Sequence, residues 1–459
     1  MFAHRIYWML RSEGSPPDAA LNPSVKRSEW TPPKDSGLWT AADSLRDRIV
    51  KSLSPVSQRF LEREDGFFEA INATSDAMAS VVPIQRKAHL AKLLAEVNDS
   101  YREELDRAAR TSGLSTTSDA EEPLLYMPMD PSRKVVRAVV GKGNVMPSAA
   151  KFPVMVFLET KSVGKGDDDQ AVEEQQDQDR GLRRLSSASS VSTLTRETAY
   201  IFKVGDDVRQ DVLALQIIDI LSQAFRSAGL ESYLCPYGCL PNGYEKGLIE
   251  VVPNCNSRAA IGQVADGGLH DIFMSRYGAP GGAEFEEARR NFIHSSAGYA
   301  VASYLLQAKD RHNGNILIDD HGHMIHIDFG FILEISPAAN LNFEKAGFKL
   351  SHDMTQIVDP GGKKKSEEFA YFVDLCIRGY LIARTRAEDI LATVGLMQDS
   401  GLPCFGRGRP IENLRKRFRL DLTPTEAGNF FRRMIFRSYD RWSTKFYDIV
   451  QLLQNQYPH

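Results

Sequence analysis

Four polar side chains whose chemistry suits the transfer of a phosphoryl group lie near one another in the chain. They are Asp310, His312, Asn315 and Asp328. Carboxylate and amide oxygens are hard ligands of the kind that Mg²⁺ prefers. A metal held in this way neutralises a triphosphate, and a nearby carboxylate or imidazole can take the proton of an attacking hydroxyl group. The residue types therefore predict phosphoryl transfer if the fold brings the four side chains together.

The stretch between these residues predicts a hairpin that would do so. The run 316–319 is typical of a strand, 320–323 is rich in turn residues, and 324–327 is typical of a second strand. In a hairpin, the end of the second strand returns beside the loop that precedes the first. We therefore expect the four side chains to converge on one site.

Two elements upstream have the residues that a phosphoryl-transfer site needs to hold a nucleotide. The run Tyr200–Val204 predicts a strand that carries Lys203, and a helix with Asp211 in its first turn follows. A lysine on a strand holds nucleotide phosphates, and an acid on the next helix holds that lysine. Upstream again, a glycine-bearing hairpin loop offers the Ser148 hydroxyl and the Lys151 ammonium to phosphate oxygens.

The order of the catalytic motifs distinguishes between kinase families. Protein kinases carry His-Arg-Asp, with Asn five residues after the Asp, and then Asp-Phe-Gly. Here the order is Asp-Arg-His, with Asn five residues after the Asp, and then Asp-Phe-Gly. On these motifs the chain resembles the type III phosphatidylinositol 4-kinases, most closely their alpha branch. The matching stretches are Phe202–Asp211, Asp310–Asn315, His326–Phe331, Phe348–His352 and Ser400–Phe405.

The resemblance implies an α+β fold. It consists of a two-lobed catalytic domain of the phosphatidylinositol 3- and 4-kinase type, preceded by an all-α helical segment. Apolar residues at helical spacing over 45–60 and 84–94 agree with such a segment. Because family members carry a longer N-terminal solenoid, we expect the chain to be the C-terminal piece of a larger protein. The expected divisions are a helical segment 1–110, an N-lobe 111–252 and a C-lobe 253–459. Within the N-lobe we expect a disordered acidic and serine-rich insert at 162–198. Within the C-lobe we expect a catalytic loop at 310–315, an activation segment at 328–354 and a membrane-facing terminal helix.

The resemblance also implies how ATP would be held. Lys203 would contact the α-phosphate, and Ser148 and Lys151 would cover the phosphates. Asp211 and Tyr237 would line the affinity pocket. The backbones of Glu250 and Val252 would hold adenine; these assignments follow from the matched motifs.

The same resemblance assigns the catalytic loop. Asn315 and Asp328 would bind Mg²⁺, or Mn²⁺ in its place. Asp310 and His312 would act on the inositol hydroxyl group, and the spacing leaves open which of them takes the proton.

The charge of the activation segment bears on the lipid substrate. Kinases that act on phosphorylated inositol lipids need cations there for the extra phosphates. After Asp328, Lys345 and Lys349 stand against Glu334, Glu344 and Asp353. This balance predicts unphosphorylated phosphatidylinositol as the substrate.

Composition limits the partners. The chain has 459 residues, 42% of them hydrophobic, and a net charge of −4, so no global basic field indicates nucleic acid. Its five cysteines are expected to be reduced thiols, and no run of apolar residues is long enough to cross a membrane. A basic C-terminal region and an aromatic terminal helix suit an anionic bilayer surface, so we expect a cytoplasmic protein associated peripherally with the plasma membrane. The basic residues are Arg407, Arg409, Arg415, Lys416, Arg417, Arg419, Arg432, Arg433, Arg437, Arg441 and Lys445.

Three alternatives remain at this stage. A phosphatidylinositol 3-kinase that uses the unphosphorylated lipid shares nearly every catalytic residue. A Ser/Thr protein kinase of the related large family and a non-catalytic membrane scaffold fit less well. The family also implies scaffold or adaptor proteins, which would bind mostly through regions outside this sequence.

Overall fold

The computed structural model describes residues 2–13, 37–111, 124–146, 151–162, 195–264, 268–335 and 347–439. Their contacts divide the chain into two compact units. The first contains the described residues up to Arg209 together with Tyr237–Pro253, and the second contains Gln210–Pro236 and the residues from Asn254 onwards. Helices and antiparallel sheets both occur, with helices at the N-terminus, so the predicted α+β class is confirmed.

The N-terminal part of the first unit is helical, as predicted. Ser54 ends the run of helical residues because its side chain accepts a hydrogen bond from the Ser57 N–H and Pro55 opens the next helix. The apolar residues of 45–60 therefore belong to two helices, and Val56 is 69% exposed. Ile84 is likewise 91% exposed in a short 3₁₀ turn, so neither residue belongs to the expected apolar stripe. The helices are α1 Phe2–Glu13, α2 Gly37–Ser52, α3 Pro55–Ala77 and α4 Arg86–Thr111.

A seven-stranded antiparallel sheet forms the rest of the first unit. Its strand order is β1-β2-β4-β5-β7-β6, and β3 pairs with β4. Lys203 lies on β5 directly opposite Gly247 of β7. The strands are β1 Leu125–Met127, β2 Asp130–Ala138, β3 Asn144–Val145, β4 Val154–Ser162, β5 Thr195–Val204, β6 Cys239–Gly243 and β7 Lys246–Glu250.

One hydrophobic core joins the helices to this sheet. The Trp8 ring of α1 packs edge-on against Phe68 of α3 at 5.7 Å, and Phe68 stacks on Phe202 of β5 at 6.4 Å. All three side chains are fully or almost fully buried. The boundary near residue 110 stays a prediction, while the described helices and sheet share their core.

The second unit is mostly helical, as predicted, with a small sheet in the order β10-β9-β8. The residue types of Leu234–Tyr237 favour a strand, but none forms there, because strand β6 begins only at Cys239. Just before this stretch, the Tyr233 N–H donates to the His294 carbonyl at 3.2 Å rather than to a neighbouring strand. The elements are α5 Arg209–Ser227, β8 Cys255–Ser257, α6 Arg258–Val264, α7 Leu269–Tyr277, α8 Ala283–Leu306, β9 Ile316–Asp319, β10 Met324–His326, α9 His352–Val358, α10 Glu367–Thr385, α11 Ala387–Leu396, α12 Pro410–Arg417 and α13 Pro424–Tyr439.

Among the described residues, no helix is both long enough and apolar enough to span a bilayer.

Candidate active site

The predicted hairpin is confirmed. Strands β9 and β10 pair antiparallel, with His326 opposite Ile316. One residue beyond this pair, the Ile327 N–H donates to the Asn315 carbonyl at 3.1 Å. The ladder therefore places Asn315 beside the residue that precedes Asp328.

Arg311 ties the loop before β9 to the segment after β10. It is 3% exposed, and its guanidinium donates to the carbonyls of Lys309 at 3.0 Å and Ile327 at 2.6 Å, and also to that of Asp328. The same guanidinium lies 5.2 Å from the centroid of the Phe329 ring. A fork of charged donors can satisfy several carbonyls at once, which a lysine ammonium does less rigidly. Arg311 therefore holds Asp310 and Asp328 on one rigid frame.

Both catalytic candidates occupy strained backbone. Asp310 has φ of 59° and Asp328 has φ of 61°, in the left-handed region that non-glycine residues rarely adopt. Such a conformation costs on the order of 1 kcal/mol and persists only where the surroundings enforce it. Here the Asn315 amide donates to the Asp310 carbonyl at 3.0 Å, and the Gly330 N–H donates to Asp328 Oδ1 at 3.2 Å.

The surroundings of His312 favour its neutral form. Burial lowers its pKa, and the positive charges of Arg311 and Lys349 act in the same direction, against the opposing effect of the two nearby aspartates. Its Nδ1 accepts a hydrogen bond from the Gly314 N–H at 3.0 Å. A neutral imidazole whose Nδ1 is an acceptor carries its proton on Nε2. His312 can therefore donate a hydrogen bond through Nε2.

The donor set fits a magnesium ion that also binds substrate phosphates. Asn315 contributes an amide oxygen and Asp328 an exposed carboxylate on the adjoining segment. Within the described ranges, no group of three or more His, Cys, Asp or Glu side chains could form an all-protein metal cage. Mg²⁺ commonly takes one or two protein oxygens and fills its remaining positions with water and phosphate oxygens.

Two buried side chains of helix α5 form hydrogen bonds with the backbone of the Asp-Phe-Gly segment. Asp211 accepts a hydrogen bond from the Phe329 N–H at 2.7 Å. Gln210 donates to the carbonyls of Phe329 at 3.3 Å and Gly330 at 2.5 Å, and its amide oxygen accepts from the Cys404 N–H at 3.2 Å. Gln210 was not predicted from the sequence, and its only signal was a polar residue beside Asp211 inside a matched motif. It joins the Asp-Phe-Gly segment to the 400–405 stretch.

The first unit positions some of the predicted ATP-binding residues. Lys203 is half-buried on β5, and Lys151 reaches the turn after that strand, because a Cβ added at Gly205 would overlap its ammonium. Gly205 has φ of +83° in this turn. Ser148 lies outside the described residues, so its predicted role is not addressed. Pairing of Lys203 with Asp211 stays a prediction.

Strand β7 ends at Glu250, one of the two predicted adenine-binding residues, and Val252 lies two residues beyond it. The Glu250 N–H donates to the Gly238 carbonyl at 2.8 Å, and the Glu250 carboxylate accepts from the Gly238 N–H at 2.9 Å. Any contact from the Glu250 backbone to adenine would therefore come from its carbonyl. These bonds order the chain beside Tyr237, which is buried.

In the activation segment, only part of the predicted substrate site is described. Lys349 is half-buried and close enough to His312 to lower the pKa of that imidazole. Lys345 lies outside the described residues.

Comparison with known proteins agrees with this geometry. A family model described as "Phosphatidylinositol 3- and 4-kinase" matches residues 197–407, which include both catalytic motifs. Phosphatidylinositol 4-kinase alpha 2 of Arabidopsis thaliana is 40% identical over 454 residues, covering 99% of this chain and 75% of that protein. This chain belongs to the phosphatidylinositol 4-kinase family.

Other relatives carry the alpha-branch names that the motifs predicted. Phosphatidylinositol 4-kinase alpha 1 of Arabidopsis thaliana is 41% identical over 457 residues, covering 99% of this chain. Phosphatidylinositol 4-kinase STT4 of Saccharomyces cerevisiae is 35% identical over 459 residues, covering all of this chain. The chain spans only 20% of the first of these two proteins and 21% of the second. The predicted resemblance is confirmed.

Proposed function

We propose that the chain is an ATP-dependent lipid kinase that phosphorylates the inositol 4-hydroxyl group of phosphatidylinositol, giving phosphatidylinositol 4-phosphate. The observation that carries this proposal is the hairpin frame, in which Arg311 and the β9–β10 ladder hold Asp310, Asn315 and Asp328 together. The names of the relatives supply the lipid and the position of the phosphate.

In this proposal Asn315 and Asp328 would hold Mg²⁺, which would neutralise charge on the transferred phosphoryl group. The proposed catalytic domain consists of an N-lobe 111–252 and a C-lobe 253–459. The residues proposed to bind ATP are Lys203, Ser148, Lys151, Asp211, Tyr237, Glu250 and Val252.

Asp310 is the better candidate to take the proton of the attacking hydroxyl group. A neutral His312 whose Nδ1 is occupied by the Gly314 N–H has no free acceptor nitrogen. Its Nε2–H suits a hydrogen bond to the developing charge on the transferred phosphoryl group. Asp310 is partly exposed and acceptor-only when ionised.

The charge of the activation segment supports an unphosphorylated headgroup. Asp353 forms an ion pair with Arg258 at 2.5 Å, and Glu334 accepts from the Asn413 amide at 2.9 Å. These two acids of the segment therefore already have partners. The cations of the segment are two lysines, Lys349 and Lys345, and the second of them lies outside the described residues. Two lysines cannot supply the several charge-assisted bonds that a bisphosphorylated headgroup requires.

The kinase is further proposed to act at the cytoplasmic face of the plasma membrane, associated peripherally. Support for membrane binding comes from a set of exposed basic residues, described in the next subsection. Scaffold or adaptor proteins would bind mainly through the parts of the longer relatives that this chain does not span.

The test uses purified chain, Mg²⁺·ATP and phosphatidylinositol vesicles, with the deacylated product resolved by the position of its phosphate. A 4-phosphate that is absent with Asp328→Asn supports the proposal. A 3-phosphate would indicate a phosphatidylinositol 3-kinase instead. Phosphorylation of a peptide but not of lipid would indicate a protein kinase.

Two variants test the proton assignment in the same assay. Asp310→Asn should lower kcat by about 10²–10⁴-fold, the usual contribution of a general base. His312→Gln, which keeps an N–H donor, should retain more activity than His312→Ala. Equal, severe losses in both His312 variants, with Asp310→Asn near wild type, would reverse the two roles.

A further inference from the structure

A loop and a helix of the second unit carry a group of exposed lysine and arginine side chains. The loop lies between α9 and α10, and the helix is α13, whose opposite face is buried through Phe431, Ile435 and Ser438. We call this group the basic surface, and its residues are Lys363, Lys365, Arg432, Arg433 and Arg437.

The loop is held in one shape by a buried carboxylate. Asp359 is 2% exposed and accepts hydrogen bonds from the Lys364 N–H at 2.8 Å, the Tyr439 hydroxyl at 2.7 Å and the Ser366 hydroxyl at 2.8 Å. Although burial alone would raise the pKa of Asp359, these hydrogen bonds keep it below its ordinary value. The loop therefore presents its lysines from a fixed backbone.

Shared ring contacts join the loop to the helix. The Lys364 ammonium lies 4.9 Å from the Tyr439 ring and 5.7 Å from the Phe436 ring. The Arg432 guanidinium lies 5.9 Å from that same Phe436 ring. The Phe436 ring thus lies between Lys364 and Arg432, so the loop that carries Lys363 and Lys365 packs beside α13.

The basic surface differs from the other arginines of the C-terminal region. Three of the latter form ion pairs with nearby acids: Arg409 with Glu412 at 3.2 Å, Arg415 with Glu388 at 2.7 Å, and Arg419 with Asp421 at 2.9 Å. Over residues 347–439, by contrast, no cation of the basic surface forms an ion pair with an acid in the described part of the chain. Arg441 and Lys445 lie outside the described residues. The basic surface therefore contains only three of the arginines of the predicted basic C-terminal region. It also contains two lysines of the α9–α10 loop, which were not predicted from the sequence to take part in membrane binding.

We propose that the basic surface docks on anionic lipid headgroups of the membrane that contains the substrate. Among the described residues its exposed cations have no acid partner, which leaves their charge for an outside anion. The loop follows the activation segment after only one short helix, α9, about 10 Å long. A lysine near an anionic bilayer strengthens binding by roughly 5-fold. The proposal rests on the proposed function only for the identity of the substrate in that membrane.

The test is vesicle flotation of the whole chain without ATP. The vesicles are phosphatidylcholine alone, or phosphatidylcholine with about 30% phosphatidylserine. The test variant is Lys363→Ala with Lys365→Ala, and the matched control is Arg409→Ala with Arg415→Ala. Each removes two positive charges, but only the control residues have acid partners.

The test variant should bind the anionic vesicles about 30-fold more weakly than wild type, and the control less than about 3-fold more weakly. Wild-type binding should fall as salt is added. Equal losses in the two variants, no loss in the test variant, or tighter binding to a short RNA than to the anionic vesicles would overturn the proposal.

Two further measurements separate docking from folding and from catalysis. Both variants should melt at the wild-type temperature, because the altered side chains are exposed; Arg433→Gln with Arg437→Gln serves as a second test pair on α13. Turnover of phosphatidylinositol in neutral detergent micelles should be unchanged in the test variant. Since flotation needs no turnover, absence of kinase activity would refute the proposed function and leave the docking result intact.

Discussion

Gln210 should prove essential for activity although it belongs to none of the predicted catalytic positions. It is 4% exposed, and its one amide group joins the carbonyls of Phe329 and Gly330 to the N–H of Cys404. Gln210→Leu has a similar volume but removes both the donor and the acceptor. Asp328, the proposed metal ligand, would then lose two of the contacts that hold the segment following it.

The structure allows the size of the effect to be worked out. The substitution leaves the Gly330 carbonyl without its donor and the buried Cys404 N–H without its acceptor. Each polar group left without a hydrogen-bond partner costs about 1–3 kcal/mol. Because the contacts are not additive, we expect a total of about 2–4 kcal/mol, shared between stability and the position of Asp328. If half of this total falls on catalysis, kcat drops about 5- to 30-fold.

The assay follows kcat against Mg²⁺ concentration, since a displaced Asp328 should raise the Mg²⁺ requirement, whereas simple destabilisation should not. Gln210→Glu keeps the acceptor for Cys404 but places a carboxylate against two carbonyls, so its activity loss should be at least as large. Gln223→Leu is the control on the same helix: the Gln223 side chain is exposed and donates to the Asp219 carboxylate one turn earlier. A wild-type kcat and Mg²⁺ requirement in folded Gln210→Leu would refute the positioning role.

Two further predictions concern stability. Trp8→Ala should lower the free energy of unfolding by about 3–5 kcal/mol and should accelerate amide exchange in β4 and β5, because the helices and sheet share one core. The control Val56→Ala, at an exposed position, should change the free energy of unfolding by less than about 0.5 kcal/mol. Fast amide exchange confined to α1 in Trp8→Ala would contradict the shared core. Burial depresses the pKa of His326 in the folded state well below the unfolded value near 6.5. The unfolded state therefore binds more protons below that pH, so stability should fall as pH drops from 6.5 to 5.5, by up to about 1 kcal/mol from this residue. Chemical denaturation should show a smaller fall with His326→Phe, and an equal fall in both proteins would contradict the assignment.

Local sequence patterns were enough to predict the catalytic hairpin. Two short apolar runs flank a turn in which Gly322 adopts φ of 87°, a conformation that glycine adopts without strain. Register in so short a hairpin follows from the turn, so the pairing of Asn315 with the residue before Asp328 is set within about a dozen residues. The inverted Asp-Arg-His order indicated the lipid-kinase branch, and the Ser400–Phe405 stretch and the activation segment favoured the 4-kinases.

Patterns that depend on partners far along the chain were not predictable. The apolar spacing of 45–60 matched one helix, yet Ser54 and Pro55 start a new one. The stretch Leu234–Tyr237 has strand-forming residues, but the backbone just before and within it bonds to α8, about sixty residues away. Propensity therefore predicted extended chain and missed the partner.

The sequence by itself determined the chemistry, through the residue types of Asp310, Asn315 and Asp328 and the short hairpin between them. Only the tertiary structure decided how the residues for that chemistry are held and, within the described ranges, which cations form ion pairs. Gln210 meets Gly330 across 120 residues, and Arg415 meets Glu388 across 27. Contacts of such separation depend on how whole elements pack, which the local order of residue types does not specify.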